Sequence, residues 1–427
     1  MTVDAALLGA GNRGRFTYGA WALKHPDALR ITALAEPDPQ RRAACQREHG
    51  IPDERVFADW RELAARPQLA SSMIIATSDT MHAEPAIQAL ESGYDVLLEK
   101  PIAPTPEECV AVVAAAERTG RLLQIGHVLR YTGFYEKVRE LVASGVLGDL
   151  VTIDMKEHVA YWHMTHSFVR GKFRNREIAA PLVLAKTCHD LDLMVWLAGT
   201  APRRVASMGS LQHFQPAGAP EGAPARCTDG CPVQAECVHD AERLYLGPSE
   251  EIARFWPWSD VSPDPSAGAR RVALETGRYG RCVYQCDNDV VDHQVLAVEF
   301  DGGVTATFTV QGLASEERRT IRLTGTRGEL RGVLHEGLIE VSRHGQFGTE
   351  QHPVEPGSGL VGHFGGDESL VEHFAAAASG RGPESVRTSG QTSLSSHLLG
   401  FAAERARETH RVVELADFRR EVGAEPA

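Results

Sequence analysis

The chain contains no apolar run near the ~18 residues that a bilayer crossing requires, so no part of it reads as a membrane span. It also lacks an excess of positive charge. Its 44 lysines and arginines face 57 aspartates and glutamates, a formal charge of −13. Polyanions would be repelled, so neither nucleic acid nor an anionic membrane is an expected partner. The first residues lack the basic segment, apolar core and small-residue cleavage site of a leader. The cytoplasm is therefore the expected compartment. Internal repeats are missing too. Charged residues make up 24% of the chain, within the globular norm, which argues against bulk disorder. The 427 residues suffice for two or three domains, each with its own core.

What is present begins at Asp4-Ala5-Ala6-Leu7-Leu8-Gly9-Ala10-Gly11-Asn12-Arg13-Gly14. An apolar run leads into Gly-x-Gly-x-x-Gly and then into a helical segment, Arg15 to Leu23. A strand feeding a glycine turn and a helix N-terminus makes a diphosphate site. Gly9 allows the turn, Gly11 lets backbone approach a pyrophosphate, and Gly14 permits close helix–strand packing. Asn12 and Arg13 lie within the turn as further cofactor contacts. The next strand ends in Glu36, 22 residues beyond Gly14. An acid at that distance takes the adenosine ribose hydroxyls and favours NAD over NADP.

From Val3 to about Gly126 strand and helix signals alternate, which predicts a parallel, doubly wound sheet. The helix starting at Thr105-Pro106-Glu107-Glu108 has a cap, a proline and an acidic first turn. Beyond Gly126 the pattern changes. A helix is expected from Phe134 to Ser144, a strand from Leu150 to Met155, and a helix from Ala185 to Leu197. Strands at His293–Phe300, Val304–Gln311, Thr320–Thr324, Glu329–Val333 and Leu338–Ser342 have antiparallel spacing. The expected fold class is α/β. Residues 1–126 form a Rossmann-type domain, and residues 127–427 an α+β domain with a large, mostly antiparallel open sheet. An irregular Cys-rich insertion occupies about 214–291. A sheet with one uncovered face favours a homodimer or homotetramer.

Leu98-Glu99-Lys100-Pro101 ends a buried strand, at the edge where open α/β sheets bind ligands. A lysine there can donate to a substrate hydroxyl and stabilise alkoxide-like charge. Together with Gly9–Gly14, Thr77-Ser78-Asp79-Thr80-Met81-His82 and Gly126-His127-Val128-Leu129-Arg130-Tyr131, this resembles the Gfo/Idh/MocA oxidoreductase family, which includes glucose–fructose oxidoreductase and inositol dehydrogenase. The resemblance covers most of the chain. It implies NAD as cofactor, with Thr77, His82, Glu99 and Lys100 beside it, and His127, Arg130 and Tyr131 toward substrate.

Ala185-Lys186-Thr187-Cys188-His189-Asp190-Leu191-Asp192 resembles the family helix that carries a catalytic histidine, and His189 matches that histidine. Family members commonly place an aspartate four residues earlier. Here that residue is Ala185, so no histidine–aspartate relay carries over. Lys186 is the replacement candidate for substrate binding or proton transfer. The stretch from Glu157 to Asn175 holds His158, Trp162, His163, His166, Arg170 and Arg174. Aromatic faces with many donors suit a polyol, and the cationic excess suits an anionic group on the substrate.

Cys227-x3-Cys231-x5-Cys237 and Cys282-x3-Cys286 lie in or beside the insertion. Close pairs from separated segments fit a structural zinc site, expected at Cys227, Cys231, Cys237 and Cys286, with Cys282 as a further or alternative ligand from the second pair. Iron–sulfur ligation, disulfides and free thiols remain the alternatives.

The function expected is NAD-dependent oxidation or reduction of a hydroxyl or ketone on a sugar, sugar derivative or cyclic polyol. An alternative is an NAD-dependent glycosidase that oxidises, eliminates, adds water and reduces again. A non-catalytic NAD sensor is the third reading.

Overall fold

The computed structural model describes residues 1–355, 363–380 and 386–424. Two sheets organise them. The first is parallel and six-stranded: β1 (Val3–Leu8), β2 (Leu29–Ala35), β3 (Val56–Phe57), β4 (Ser72–Ile75), β5 (Asp95–Leu98) and β6 (Leu123–Ile125), in the order β3-β2-β1-β4-β5-β6. That is the doubly wound order, and its ligand crevice lies at the strand C-termini beside β1 and β4, where the order reverses. β1, β4 and β5 are almost wholly buried, as strands covered by helices on both faces must be.

The caps are local chemistry. Asp38 accepts from the Gln40 and Arg41 amides at the start of the Pro39–His49 helix. Thr105 accepts from the Glu108 amide, its hydroxyl donates back to the Glu108 carboxylate, and the Pro106–Thr119 helix follows. Gly120, at φ +65°, ends that helix in the left-handed region that glycine adopts freely.

The second sheet has nine strands: β7 (Leu150–Ala160), β8 (Pro202–Ser210), β9 (His293–Phe300), β10 (Thr305–Ala314), β11 (Arg318–Gly325), β12 (Gly328–Val333), β13 (Leu338–Arg343), β14 (Glu350–Pro353) and β15 (Val413–Glu414). Their order is β14-β13-β12-β11-β7-β10-β9-β8-β15. Only β7 and β10 pair in parallel; the rest are antiparallel. Buried and exposed residues alternate along β9, β10 and β11, so one face is packed and the other open. The Cys188–Ala198 and Gly390–Thr409 helices pack against each other within the covered layer. No helix among the described residues is long and apolar enough to cross a membrane.

Two expectations change. The helix expected from Ala185 to Leu197 is broken: Leu182–Ala185 is one turn, and Cys188–Ala198 begins after a gap at Lys186 and Thr187. Thr187 donates its hydroxyl back to the Val183 carbonyl, the competition that makes such residues poor helix interiors. The insertion, expected to be irregular, has a small core of its own. Helices Ala241–Leu246 and Ala267–Thr276 bury Ala241, Tyr245, Leu274 and Tyr279 together.

Candidate active site

The glycine turn closes where packing demands it and opens where a ligand would lie. Gly9 has φ +87°, and a Cβ there would meet the Ala76 carbonyl oxygen at 2.7 Å. One at Gly14 would come within 1.9 Å of the Gly9 carbonyl oxygen. A Cβ on Gly11 would meet nothing within 4 Å, so this turn has open space above the backbone, as a diphosphate cradle needs. Glu36 stands at the end of β2, nearly buried. Its carboxylate accepts from the Ala10 amide at 2.6 Å and the Asp38 amide at 2.9 Å, which ties it to the turn. Arg42, which sequence reasoning missed, donates to the carbonyls of Glu36 and Pro37.

Other expected cofactor residues serve the scaffold. Arg13 does not project from the turn toward a diphosphate: its guanidinium binds Glu99 (2.5 Å) and Asp367 (2.7 Å). Glu99 is buried and also accepts from Tyr18 and from the Lys100 amide. His82 is buried, with Nδ1 at 2.7 Å from the Pro101 carbonyl and Nε2 at 3.3 Å from that of Thr77, so it braces the two strand-end loops. The Thr77 hydroxyl donates to the Met81 carbonyl.

Lys100 emerges at the C-terminal end of β5. Its Nζ donates to the Ala185 carbonyl at 2.8 Å, at the helix break that precedes His189. The lysine from the first sheet and the histidine from the second layer therefore share one site. His189 is 5% exposed, and its Nδ1 has no hydrogen-bond partner. Burial first, then the charge of Lys100 and the neighbouring His127, hold its imidazole well below the ordinary range, so it is neutral. The His127 ring lies 5.7 Å away edge-on, fully buried, with neither nitrogen bonded. Potential metal-ligand atoms of His127, Cys188 and His189 all lie within 4.8 Å of one another. The Lys100 ammonium beside them opposes a cation there.

The substrate expectations divide. Arg130 is buried in a bidentate pair with Asp192, at 2.5 and 2.7 Å, so it is a structural cation and not a substrate ligand. Tyr131 is buried against Thr388. His158 lies on the face of β7 opposite Glu157 and contacts Gln311. His166 is buried against the insertion, stacked on Tyr279 and bonded to Tyr245. Arg170 is buried on backbone carbonyls, and Arg174 pairs with Asp287. Arg170, Arg174 and His166 thus hold the insertion to the body. Trp162 and His163 remain partly exposed, against the insertion's Trp256.

Lys186 is in contact with acids. Its Nζ lies 3.2 Å from Glu157 and 3.9 Å from Glu317. Arg319 joins Glu157 (2.6 Å) to Asp190 (3.0 Å). Burial pushes the Glu157 carboxyl up to about 7, against the pull of Arg319 and Lys186. Glu317 is also burdened by burial, but Lys186 and a hydrogen bond from His163 bring it down to about 2. Glu157, Glu317 and Arg319 were invisible in sequence, because only the antiparallel register that sets Arg319 opposite Glu157 brings them together.

The cysteines also regroup. Cys227, Cys231, Cys237 and Cys282 line one cavity with Arg170 and His239. Cys286, the fourth ligand expected, instead donates its thiol to the Cys282 carbonyl.

Residues 3–127 match the family described as oxidoreductase family, NAD-binding Rossmann fold, and residues 139–415 match its C-terminal alpha/beta domain. A protein of Amycolatopsis mediterranei, provisionally named as the oxidoreductase subunit of a UDP-kanosamine synthase, is 32% identical over 90% of this chain and 99% of its own. Inositol 2-dehydrogenase of Leifsonia xyli subsp. xyli is 30% identical over 40% of this chain, and the match spans 46% of that relative. Levoglucosan dehydrogenase, solved with NADH and levoglucosan, shares the fold at a TM-score of 0.71 and 17% identity, over 97% of this chain and all of its own. With both family domains accounted for, the chain belongs to the Gfo/Idh/MocA family of NAD-binding oxidoreductases.

Proposed function

We propose that the protein is an NAD-dependent dehydrogenase for a ring hydroxyl of a sugar, sugar derivative or cyclic polyol. The convergence of Lys100 and His189 is the observation that carries this reading. Residues 1–126 supply the cofactor side and residues 127–427 the substrate side. NAD, bound over the Gly9–Gly14 turn, supplies the hydride acceptor. His189, already neutral, takes the hydroxyl proton. Lys100 holds the oxygen as charge grows on it and draws its own geometry from the Ala185 carbonyl. Trp162, His163 and Trp256 offer ring faces and a donor to a sugar. Lys186 pairs with Glu157 and lends its charge to the substrate side from there. The names of the relatives support a carbohydrate or polyol substrate.

Purified protein should retain nucleotide detectable by mass spectrometry. A panel of hexoses, cyclic polyols, glycosides and sugar nucleotides should then produce NADH with at least one member. Aglycone release without net NADH would establish the redox glycosidase instead. Nucleotide retention without either chemistry would leave a sensor.

A homodimer or homotetramer formed through the open sheet face is part of this proposal. There Met208 (68% exposed) lies opposite Val295 (38% exposed), among charged neighbours. A cytoplasmic location belongs to it too. A structural zinc ion in the insertion is a separate element with no role in hydride transfer.

A further inference from the structure

Arg170 presents an unusual charge problem. Its side chain is fully buried and its Nη1 has no hydrogen-bond partner. Its other nitrogens donate to the carbonyls of Arg281 and His239, both at 2.8 Å. Among the described residues no carboxylate pairs with it: the ionisable groups that face it are Tyr245, His166, His239, Cys227, Cys282 and Cys286. The Cys227 sulfur accepts from Nη2 at 3.7 Å. A buried cation without an anion costs several kcal/mol, on the order of the effective desolvation penalty per ion.

A metal held by the thiols that line the same cavity would answer that charge. We propose that Cys227, Cys231, Cys237 and Cys282 hold one zinc ion, with Arg170 as the buried counter-charge to the resulting four-thiolate centre. Four thiolates on a divalent zinc leave two negative charges, which match the chemistry of a buried guanidinium. Binding displaces one proton from each thiol to solvent and involves no oxidation. The sulfurs surround one cavity, though no three of them lie within 4.8 Å of one another. Coordination at a Zn–S distance of about 2.3 Å must draw them inward. His239, with Nδ1 unpartnered, sits on the same wall but turns Nε2 toward His213 at 3.3 Å. Cys286 is the thiol left out.

The staple reaches the substrate wall through Arg170. That residue ends the Thr165–Arg170 segment, whose His166 lies against Tyr245, Tyr279 and the insertion's Trp256. Trp256 in turn contacts Trp162 and His163. This second part rests on the assignment of that wall to substrate; the metal site does not.

The test begins with elemental analysis of protein purified without chelator. One zinc per chain is expected, and removing it should expose four further thiols to a colorimetric reagent. Replacing it with cobalt should give the visible bands of a tetrahedral thiolate centre. Cys282→Ser and Cys231→Ser should abolish stoichiometric metal, whereas Cys286→Ser should keep it. Arg170→Met should weaken zinc retention against a competing chelator at least ~10-fold, while Arg170→Lys should restore part of it. The metal-free protein should bind NAD within about twofold of normal and show a raised KM. A chain that neither carries nor takes up zinc overturns the site, as does iron with labile sulfide. Retention in Cys282→Ser with loss in Cys286→Ser overturns the ligand set. Unchanged KM after metal loss overturns the coupling alone.

Discussion

A buried imidazole beside an ammonium gives up its proton readily, and this sets what His189 can do. Because its range is held well below the ordinary value of 6.5, it is a competent base throughout neutral pH. The kcat/KM profile should therefore stay level down to pH 6.5 and lose its His189 limb only below that. A limb centred above 6.5 would place the base elsewhere. The same burial makes stability depend on pH with a definite sign. The unfolded histidine takes a proton as pH falls through 6.5 and the native one does not, so His189 costs stability on the acid side. His189→Ala and Lys100→Ala should each lower turnover ~10²-fold or more with NAD affinity nearly unchanged, by steady-state kinetics and calorimetry. Their joint loss should be less than the product of the singles, since the proposed mechanism has both act on one oxygen. Glu36 belongs to this scale as well. Its carboxylate, fixed by two backbone amides, should disfavour a 2′-phosphate by at least ~1.4 kcal/mol, so NAD binds ~10-fold or more tighter than NADP. Glu36→Ser should narrow that ratio in the same titration.

At the scale of elements, helix interruptions and cross-element ion pairs do the positioning. The gap at Lys186 and Thr187 separates two helical pieces, with the Ala185 carbonyl available to Lys100 at their junction. The Val128–Tyr131 turn is held to the Cys188–Ala198 helix by Arg130 and Asp192, both about 1% exposed. Breaking a pair so buried leaves one charge uncompensated. Arg130→Met should destabilise the fold by about 3–5 kcal/mol in denaturant titration, and Asp192→Asn should act in the same direction. The double replacement by apolar residues should recover part of the loss, because neither charge is then stranded.

The whole molecule leaves one face of its nine-stranded sheet open. Met208 and Val295 are paired across β8 and β9 on that face, and Leu313 on β10 is also exposed there. Along the same two strands Arg204 pairs with Glu299, a polar flank to an apolar patch. Sedimentation should show a dimer or tetramer, and Met208→Glu with Val295→Glu should shift it toward monomer. The NAD affinity of that variant should not move, because the parallel sheet lies apart from this surface.

Local chemistry was legible from the chain alone. The glycine turn, Glu36 at a strand end, the Thr105 cap, Lys100 before its proline and the strand alternation are all encoded within a few residues. Backbone sterics and short hydrogen bonds act at that range. His189 was legible through resemblance, since its helix sequence is distinctive. What could not be read were the partners of the long charged side chains. Arg130, His166, Arg170 and Arg174 looked like substrate ligands because donors near a site resemble donors in it. Each instead meets a group 57 to 257 residues away in sequence. The Glu157–Lys186–Arg319–Asp190 network likewise exists only because β11 pairs with β7 in one register. The sequence by itself determined the elements and the cofactor turn, because those depend on neighbours along the chain. Tertiary structure alone decided which charges face substrate and which are neutralised in the interior, because that depends on burial and on partners that only packing supplies.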